Sequence, residues 1–417
     1  MANPINEPMP NNMIFEMPWL QHLALDSDYP LTEADARVVE IAHEALLHAD
    51  AVEFRLGGKA GRLGECIVET AFLEGVFSLL EQLGKAGTPV TVFVEEAISS
   101  LFDDATYADQ FWPGIHFQPA SDSTTSNNHN QQEPRHLLAL DFHGAHDGES
   151  YLQYAETGAS SATTLGRLHR VAVRSYAHRG PRRRYAAFLE DLFGLPEETI
   201  DDLKAQPRIH LNERDETRYP ELARAYGLNE EATRIICFFQ SVVAAKCYEN
   251  WDDVMTAVCE HWARSHPLQR VEFFIACGPD DDQPVRCEDL AAFFAGFAGA
   301  EGNARVITKK TPSLRDLAIL LSRAALCLSN DTGPGHLAGA LHIPTITPYL
   351  PGDIYPMRVW ASTLWHRGVT LPPDAFAFAD VENAILNSHT DIINGIPAEL
   401  LAAQAISALE AQLADRQ

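Results

Sequence analysis

A turn in the second half of the chain has the residue types of an anion-binding site. Residues 330–336 read NDTGPGH and follow a short apolar segment at 325–328. The apolar segment is typical of a buried parallel strand, and Pro334 suits the first position of a helix. The first turn of this helix would present the backbone N–H groups of residues 333–336 beside the Thr332 hydroxyl. Such a helix start attracts phosphate, so the turn predicts a phosphate-binding site.

Alternating strand-like and helical segments must hold this turn in place. In the second half of the chain, the strand-like segments are 234–240, 271–277, 305–308, 325–328 and 345–349. In the first half, they are 51–56, 90–95, 137–142 and 171–174. Helical segments separate the strands at βαβ spacing, and a polar stretch at 219–231 lies between the two series. The sequence therefore predicts an α/β protein with two Rossmann-like domains.

The overall composition limits the classes of partner and environment. The 417 residues carry a formal net charge of −27, which argues against nucleic acid or an anionic membrane as a general partner. The seven cysteines are odd in number, scattered and mostly inside apolar runs, which favours reduced thiols over a disulfide framework. Neither a signal peptide nor a membrane-spanning segment is indicated. We therefore expect a cytoplasmic protein.

The turn at 330–336 and the residues after it resemble the signature of glycosyltransferase family 9, approximately (N/D)DTGPxHLAxAxxxP. This family contains the ADP-heptose:lipopolysaccharide heptosyltransferases. The matching positions are Asn330, Asp331, Thr332, Gly333, Pro334, His336, Leu337, Ala338, Ala340 and Pro344. An ordinary capped helix on a Rossmann-like sheet is the alternative interpretation, because any strand–turn–helix needs cap residues. The resemblance covers most of residues 50–370 and is strongest from 234 to 344.

The resemblance implies the GT-B arrangement, in which two Rossmann-like domains face each other across a cleft. Residues 1–225 would form the acceptor-side domain, and residues 226–385 would form the nucleotide-sugar donor domain. Residues 386–417 would supply a crossing segment and a closing helix that returns to the first domain. Within the first domain, the Ser/Thr/Asn/Gln-rich segment near 121–132 is predicted to be a mobile loop.

Three residues match positions to which the family assigns catalysis. Glu65 follows Gly64 where the family has Gly-Asp, and that aspartate is thought to deprotonate the acceptor hydroxyl. The alternative is a helix-terminal glutamate without a chemical role. Lys246 follows a small-residue loop at 241–245 and would neutralise the pyrophosphate, unless it is an ordinary surface lysine. Asp331 would contact the donor sugar.

The resemblance also implies a set of donor-binding residues. After the strand-like segment 271–277, residues 278–282 read GPDDD and resemble the family's Gly-Gly-Pro-x-Glu turn, whose acid approaches the nucleoside ribose. The small-residue loop and the phosphate-binding helix start complete the set. The expected donor-binding residues are Ser241, Asp281, Asp282, Thr332, Gly333, Pro334, Gly335 and His336.

Two histidines are the first candidates for acceptor binding. His143 and His146 lie in residues 141–147, a region that lines the acceptor side of the cleft in the family. Both would hydrogen-bond a sugar. The alternative for this segment is a metal site, although its spacing matches no standard ligand motif.

A basic cluster at 179–184 stands out in an otherwise acidic chain. Its members Arg179 and Arg182 suit carboxylates or phosphates on an acceptor, because planar guanidinium groups bind such oxygens bidentately. The alternative is a solvated helix start that pairs with Glu190 and Asp191.

Together these residues predict an inverting glycosyltransferase. It would move a heptose or a related sugar from a nucleoside diphosphate donor, ADP-heptose in the family, to an acceptor hydroxyl. No cofactor and no metal are expected, since Lys246 and the helix start would stabilise the leaving group. The expected partners are the donor and a glycan, protein or small-molecule acceptor, with no nucleic acid and with membrane contact through the acceptor alone.

Departures from the family pattern leave other functions open. Glu65 replaces an aspartate, and residues 348–353 differ from the family's FGxTDP-like loop. A catalytically weak nucleotide-sugar binding or assembly protein of the same fold is therefore the alternative. A nicotinamide oxidoreductase is less favoured, because no GxGxxG loop follows either first strand.

Overall fold

The computed structural model places most of the chain in two compact units. The structure describes residues 33–56, 63–119, 136–141, 151–156, 163–167, 185–278, 285–299, 302–311, 313–350, 365–371, 380, 384 and 387–414. Among these, residues up to His210 form the first unit and residues from Leu211 onward form the second.

The first unit contains six strands in the described residues, with helices before, between and after them. The strands are β1 Ala51–Leu56, β2 Val90–Val94, β3 Ile115–Pro119, β4 His136–Asp141, β5 Tyr151–Glu156 and β6 Thr163–Arg167. The helices are α1 Glu33–His48, α2 Leu63–Gln82, α3 Asp104–Gln110 and α4, residues 185–192.

The sheet of the first unit has the strand order β3-β2-β1-β4-β5-β6. Strands β1 to β4 run parallel, whereas β5 and β6 pair antiparallel to their neighbours. Helix α2 packs against β1 and is apolar on nearly all sides, so every residue from 66 to 80 is buried. The parallel part of this sheet therefore forms the Rossmann-like half of the unit.

The second unit also contains six strands in the described residues. The strands are β7 Thr233–Phe238, β8 Val271–Cys277, β9 Ala304–Lys310, β10 Leu326–Ser329, β11 Thr345–Pro348 and β12 His366–Val369. The helices are α5 Glu213–Tyr226, α6 Trp251–Ser265, α7 Cys287–Phe294, α8 Leu314–Leu321, α9 Gly333–Ala340, α10 Asp391–Asn394 and α11 Ala398–Ala414.

The second sheet is parallel throughout and has the order β12-β11-β10-β7-β8-β9. This is the doubly wound Rossmann order, in which the direction of winding reverses between β7 and β10. Strand β8 is buried at every residue, as expected for a parallel strand covered by helices on both faces. Ligands of such sheets bind outside the carboxyl ends of the strands at the reversal.

The boundary between the units lies earlier than the sequence suggested. Helix α5, which the predicted boundary at 225 would leave almost wholly in the first domain, packs against α8 of the second unit. Arg315 donates to Asp215 with Nε–Oδ1 at 3.0 Å, and Arg218 donates to Asp316 at 2.8 Å. These ion pairs, which pattern alone does not reveal, attach α5 to the second unit, and the described residues divide between the units at 210/211 rather than at 225.

The closing helix packs within the second unit. Helix α11 is the closing helix predicted within residues 386–417, and it packs on α6 and on the strands β10, β11 and β12. Leu401 and Leu409 are fully buried there, and each such leucine contributes about 1.5–3 kcal/mol. The helix belongs to the second unit.

Most predicted strands form, and several additional strands appear. Strand β8 has the predicted bounds, and the bounds of the other predicted strands in the described residues agree within two residues. The predicted strand 171–174 lies outside the described residues, and so does the predicted loop near 121–132. Strands β3, β5, β6 and β12 were not predicted, because their sequences lack an apolar run.

All seven cysteines are free thiols, and six of them are buried. No helix in the described ranges combines the length and apolar content needed to cross a membrane.

Candidate donor site at the reversal of the second sheet

Two neighbouring strands of the second sheet bring predicted site residues together. Strand β7 leads through a loop to a short 3-10 turn, Ala244–Lys246, which ends on the predicted lysine. Strand β10 leads directly to Asn330 and Asp331, and α9 then begins at Gly333. Because β7 and β10 are hydrogen-bonded neighbours, both turns lie at the reversal of the winding.

Lys246, Asp331 and His336 form a charged cluster at this point. The Lys246 ammonium donates to Oδ2 of Asp331, and the two side chains are 13% and 15% exposed. His336 Nε2 lies 3.6 Å from the other carboxylate oxygen, Oδ1, and His336 is 8% exposed. Asp331 therefore lies between two nitrogen-bearing side chains in a largely buried position.

These neighbours determine the ionisation of Asp331. Burial by itself raises the pKa of the carboxyl, but the Lys246 ammonium and the hydrogen bond and charge of His336 together outweigh it. The pKa of Asp331 is consequently held well below its usual range. Asp331 is a carboxylate at neutral pH, so the cluster already contains one anion paired with its cation.

The start of α9 has the predicted position but fewer available amides than predicted. Thr332 is the N-cap with extended backbone, and Pro334 occupies the first turn. The amides of Gly335 and His336 donate to the Thr332 carbonyl at 3.0 and 3.4 Å. Proline has no N–H, which leaves the amides of Thr332 and Gly333 as the candidates for an anion.

Gly335 is required by close packing at this helix start. A Cβ atom at Gly335 would lie 2.6 Å from Oγ of Ser329. The Ser329 hydroxyl is itself held by donation to the Asn330 carbonyl at 2.7 Å, and Ser329 is completely buried. The glycine therefore lets α9 begin directly against the end of β10.

Ser241 stabilises the lysine loop from within. Its hydroxyl accepts from the amide of Val243 at 3.3 Å, and its carbonyl accepts from the Cys247 thiol at 3.5 Å. Ser241 is 4% exposed. Both contacts are made within the loop itself. They do not test the predicted contact of Ser241 with a donor, which stays a prediction.

A group of polar residues beside His336 was not predicted from the sequence. The rings of His336 and His366 meet edge to face with centroids 5.4 Å apart. His366 Nε2 lies 2.8 Å from the Thr347 hydroxyl and 3.2 Å from the Tyr349 hydroxyl. The sequence offered one signal for this group, because the buried strand Thr345–Pro348 carries hydroxyl residues. Its hydrophobic pattern, however, is typical of a strand in the protein core.

Glu65 occupies the predicted place in the first unit. It is the third residue of α2, which follows β1, and it is partly buried in the first turn of that helix. A carboxylate at this position is favoured by the helix dipole. Its predicted role as a general base stays a prediction.

Several predicted site residues cannot be placed. His143, His146, Arg179, Arg182, Asp281 and Asp282 lie outside the described residues. Within the described part of the chain, no three His, Cys, Asp or Glu side chains are grouped as a metal site requires. The proposed metal alternative at 141–147 falls almost entirely outside the described ranges.

Comparisons with known proteins bear on the family and the fold. The family model of glycosyltransferase family 9 (heptosyltransferase) matches residues 156–372. The solved glycosyl transferase family 9 structure from Veillonella parvula is similar to this chain, with 13% identity, 87% of this chain and 97% of that chain covered, and a TM-score of 0.52. No curated protein matches the chain.

Two structures from E. coli are also similar to this chain at lower scores. The ADP-heptose lps heptosyltransferase II has 11% identity, with 88% of this chain and 99% of that chain covered and a TM-score of 0.43. The heptosyltransferase WaaC with ADP-2-deoxy-2-fluoro heptose has 13% identity, with 81% and 100% covered and a TM-score of 0.41.

The family match spans more than half of the chain and includes the cluster at the reversal of the second sheet. The α/β class with two Rossmann-like units, predicted as the GT-B fold, is confirmed, whereas the cleft between them stays a prediction. The chain belongs to glycosyltransferase family 9, the heptosyltransferase family, and is a glycosyltransferase.

Proposed function

We propose that this glycosyltransferase moves a heptose or a related sugar from a nucleoside diphosphate donor to an acceptor hydroxyl, with inversion at the anomeric carbon. The observation that carries the proposal is the cluster of Lys246, Asp331 and His336 beside the start of α9. A cation and a helix start at the reversal of a parallel sheet suit a diphosphate. The resemblance to the family supports ADP as the nucleotide.

The proposed reaction is a single displacement. Glu65 takes the proton of the acceptor hydroxyl, and the acceptor oxygen forms a bond to the anomeric carbon. The bond from that carbon to the β-phosphate oxygen breaks on the opposite face, which gives inversion. Lys246 and the amides at the start of α9 stabilise the negative charge that collects on the diphosphate. Asp331 contacts the donor sugar and orients it.

The proposal needs no divalent metal, because the residues above supply the positive charge for the leaving group. Addition of EDTA to an active assay tests this part separately. Turnover that persists in EDTA supports it, and complete loss that Mg²⁺ restores contradicts it.

Calorimetry with ADP, UDP, GDP and CDP tests the donor site. We expect ADP to bind best and both Lys246→Ala and His336→Ala to weaken it. Arg264→Ala is the control, because it removes the same charge from an exposed site in the last turn of α6. Equal binding to the Lys246 variant and the wild type would contradict the assigned site.

Transfer assays separate the enzyme from a binding protein. ADP-heptose is offered with a panel of glycan acceptors, and the anomeric configuration of the product is read by NMR. Inverted product supports the proposal. Tight donor binding without turnover on any acceptor would instead favour the nucleotide-sugar binding or assembly protein.

A further inference from the structure

Asn330 is completely buried between the two loops that carry Lys246 and Asp331. Its side-chain oxygen accepts from the amide of Tyr248 at 3.1 Å and from the indole N–H of Trp251 at 3.2 Å. Its side-chain nitrogen donates to the carbonyl of Phe239 at 2.8 Å. One amide group therefore joins three points on the segment that follows β7.

The partners in this chain match an asparagine better than an aspartate or a glutamine. Two N–H donors face one side of the group and a carbonyl acceptor faces the other, which fits the oxygen and the nitrogen of a primary amide in one orientation. An aspartate would place a second oxygen against the Phe239 carbonyl. A glutamine is one methylene too long for a site that is fully enclosed.

The segment held by Asn330 runs from Phe239 to Trp251 and carries Lys246 between its two ends. The main chain of Asn330 is fixed as well, because its amide donates to the carbonyl of Phe238 at 2.8 Å. Asp331 is the next residue in the chain. The bonds of Asn330 thus set the position of the lysine loop relative to the carboxylate that pairs with Lys246.

We infer that Asn330 is a positioning residue, which holds the Lys246 ammonium where the diphosphate of the donor binds. This inference rests on the proposed function. A loop held at one end only would let the ammonium move by an ångström or more, and interactions with phosphate charge depend strongly on such distances. Asn330 acts through Lys246 and makes no contact with the donor itself.

A second asparagine provides a matched control. Asn394 also accepts from the same segment, through the amide of Glu249 at 2.8 Å. It approaches from α10, on a partly exposed side, and has no bond to the turn that carries Asp331. Asn394→Ala therefore removes a comparable bond from the loop and leaves the link between the two turns intact.

The experiment measures ADP affinity by calorimetry for the wild type, Asn330→Ala, Trp251→Phe and Asn394→Ala. We expect Asn330→Ala to lose about tenfold or more, Trp251→Phe to lose less, and Asn394→Ala to stay near the wild type. Trp251→Phe removes one donor to Asn330 and keeps the ring that stacks on Phe239 at 4.7 Å. Melting temperatures establish that each variant is folded.

A double-mutant cycle distinguishes positioning from general destabilisation. If Asn330 acts through Lys246, adding Asn330→Ala to Lys246→Ala changes ADP affinity by less than about twofold. Ligand-observed NMR reads these weaker affinities. Multiplied losses in the double variant would overturn the inference. If Asn330→Ala does not fold, Trp251→Phe takes its place in the same cycle, with the same two outcomes.

The outcomes separate this inference from the proposed function. If the wild type binds no nucleoside diphosphate, or Lys246→Ala binds ADP as the wild type does, the proposed donor site fails and the inference fails with it. If Lys246→Ala weakens ADP but a folded Asn330→Ala does not, the inference alone is overturned. Loss in both single variants without further loss in the double variant supports it.

Discussion

The Lys246 ammonium and the Asp331 carboxylate form an ion pair although 85 residues separate them in the chain. Both side chains are largely withdrawn from water, so the charge of the lysine is balanced within the protein. A diphosphate that binds at this point brings further negative charge close to Asp331. The carboxylate then opposes the nucleotide portion of the donor while it remains suited to hydroxyl groups of the sugar.

Replacement of this carboxylate should therefore separate nucleotide binding from transfer. We expect Asp331→Asn to bind ADP about tenfold more tightly, because Lys246 becomes available and the repulsion is removed. The same variant should transfer sugar more slowly. Calorimetry and initial rates measure the two effects. Asp253→Asn, an exposed site in the first turn of α6, controls for the change in net charge. Weaker ADP binding in Asp331→Asn would refute this prediction.

The general base can be tested by changing Glu65 in two ways. Glu65→Gln should lower kcat about 10²- to 10⁴-fold and leave ADP affinity unchanged, because the amide cannot accept the acceptor proton. Glu65→Asp keeps a carboxylate and restores the residue type of the family, so it should retain part of the activity. A kcat of Glu65→Gln close to the wild-type value would show that Glu65 has no role in proton transfer.

The close approach of α9 to β10 predicts a defect from a single methyl group. Gly335→Ala places a Cβ 2.6 Å from Oγ of Ser329, so the helix start must shift. We expect a loss of about 1–3 kcal/mol in the free energy of unfolding, together with weaker ADP binding. Gly296→Ala is the control, since its Cβ would meet no atom within 4 Å. Urea unfolding compares the two variants, and equal stability would contradict the packing argument.

A buried carboxyl in the first unit predicts a pH dependence of stability. Burial raises the pKa of Glu74, and contacts with His210 and Arg208 offset this only in part. The folded state therefore holds the Glu74 proton more tightly than the unfolded chain does. This stabilisation is complete below the unfolded pKa of about 4.3 and is lost as pH rises through the higher folded pKa.

Glu74→Gln should remove this slope. We expect the free energy of unfolding of the wild type to fall more steeply than that of Glu74→Gln as pH rises from about 4 to about 7. Glu81→Gln, at an exposed site near the end of the same helix, should behave as the wild type. Parallel pH profiles for the wild type and Glu74→Gln would exclude a raised pKa.

The ion pairs between α5 and α8 predict that α5 is an integral part of the second unit. Asp215 accepts from Arg315 and also caps α5, because its carboxylate accepts from the Asn212 amide at 2.8 Å. We expect Asp215→Ala to lower the free energy of unfolding by about 3 kcal/mol. Glu216→Ala, one residue further in the same turn and exposed, should have little effect. Denaturant titration measures both, and similar curves would contradict the assignment.

The sequence alone determined the features that depend on neighbours in the chain. The apolar run 271–277 becomes β8 with the predicted bounds, because such a run can be buried from both faces of a parallel sheet. The helix start at Thr332 follows from local cap and proline chemistry. The family resemblance rested on the same local run, and the family match includes it.

Tertiary structure decided the features that join distant segments. The pairing of Lys246 with Asp331 requires β7 and β10 to be adjacent, which depends on the strand order of the whole sheet. The polar strand β5 pairs antiparallel with β4, and β6 pairs antiparallel with β5. Their formation depends on these partners, so the local hydrophobic pattern did not predict them. Likewise α5 and α11 belong to the second unit because of the surfaces and charges they meet there. At these positions, hydrogen bonds and burial that are supplied by residues distant in the sequence outweigh local secondary-structure propensity.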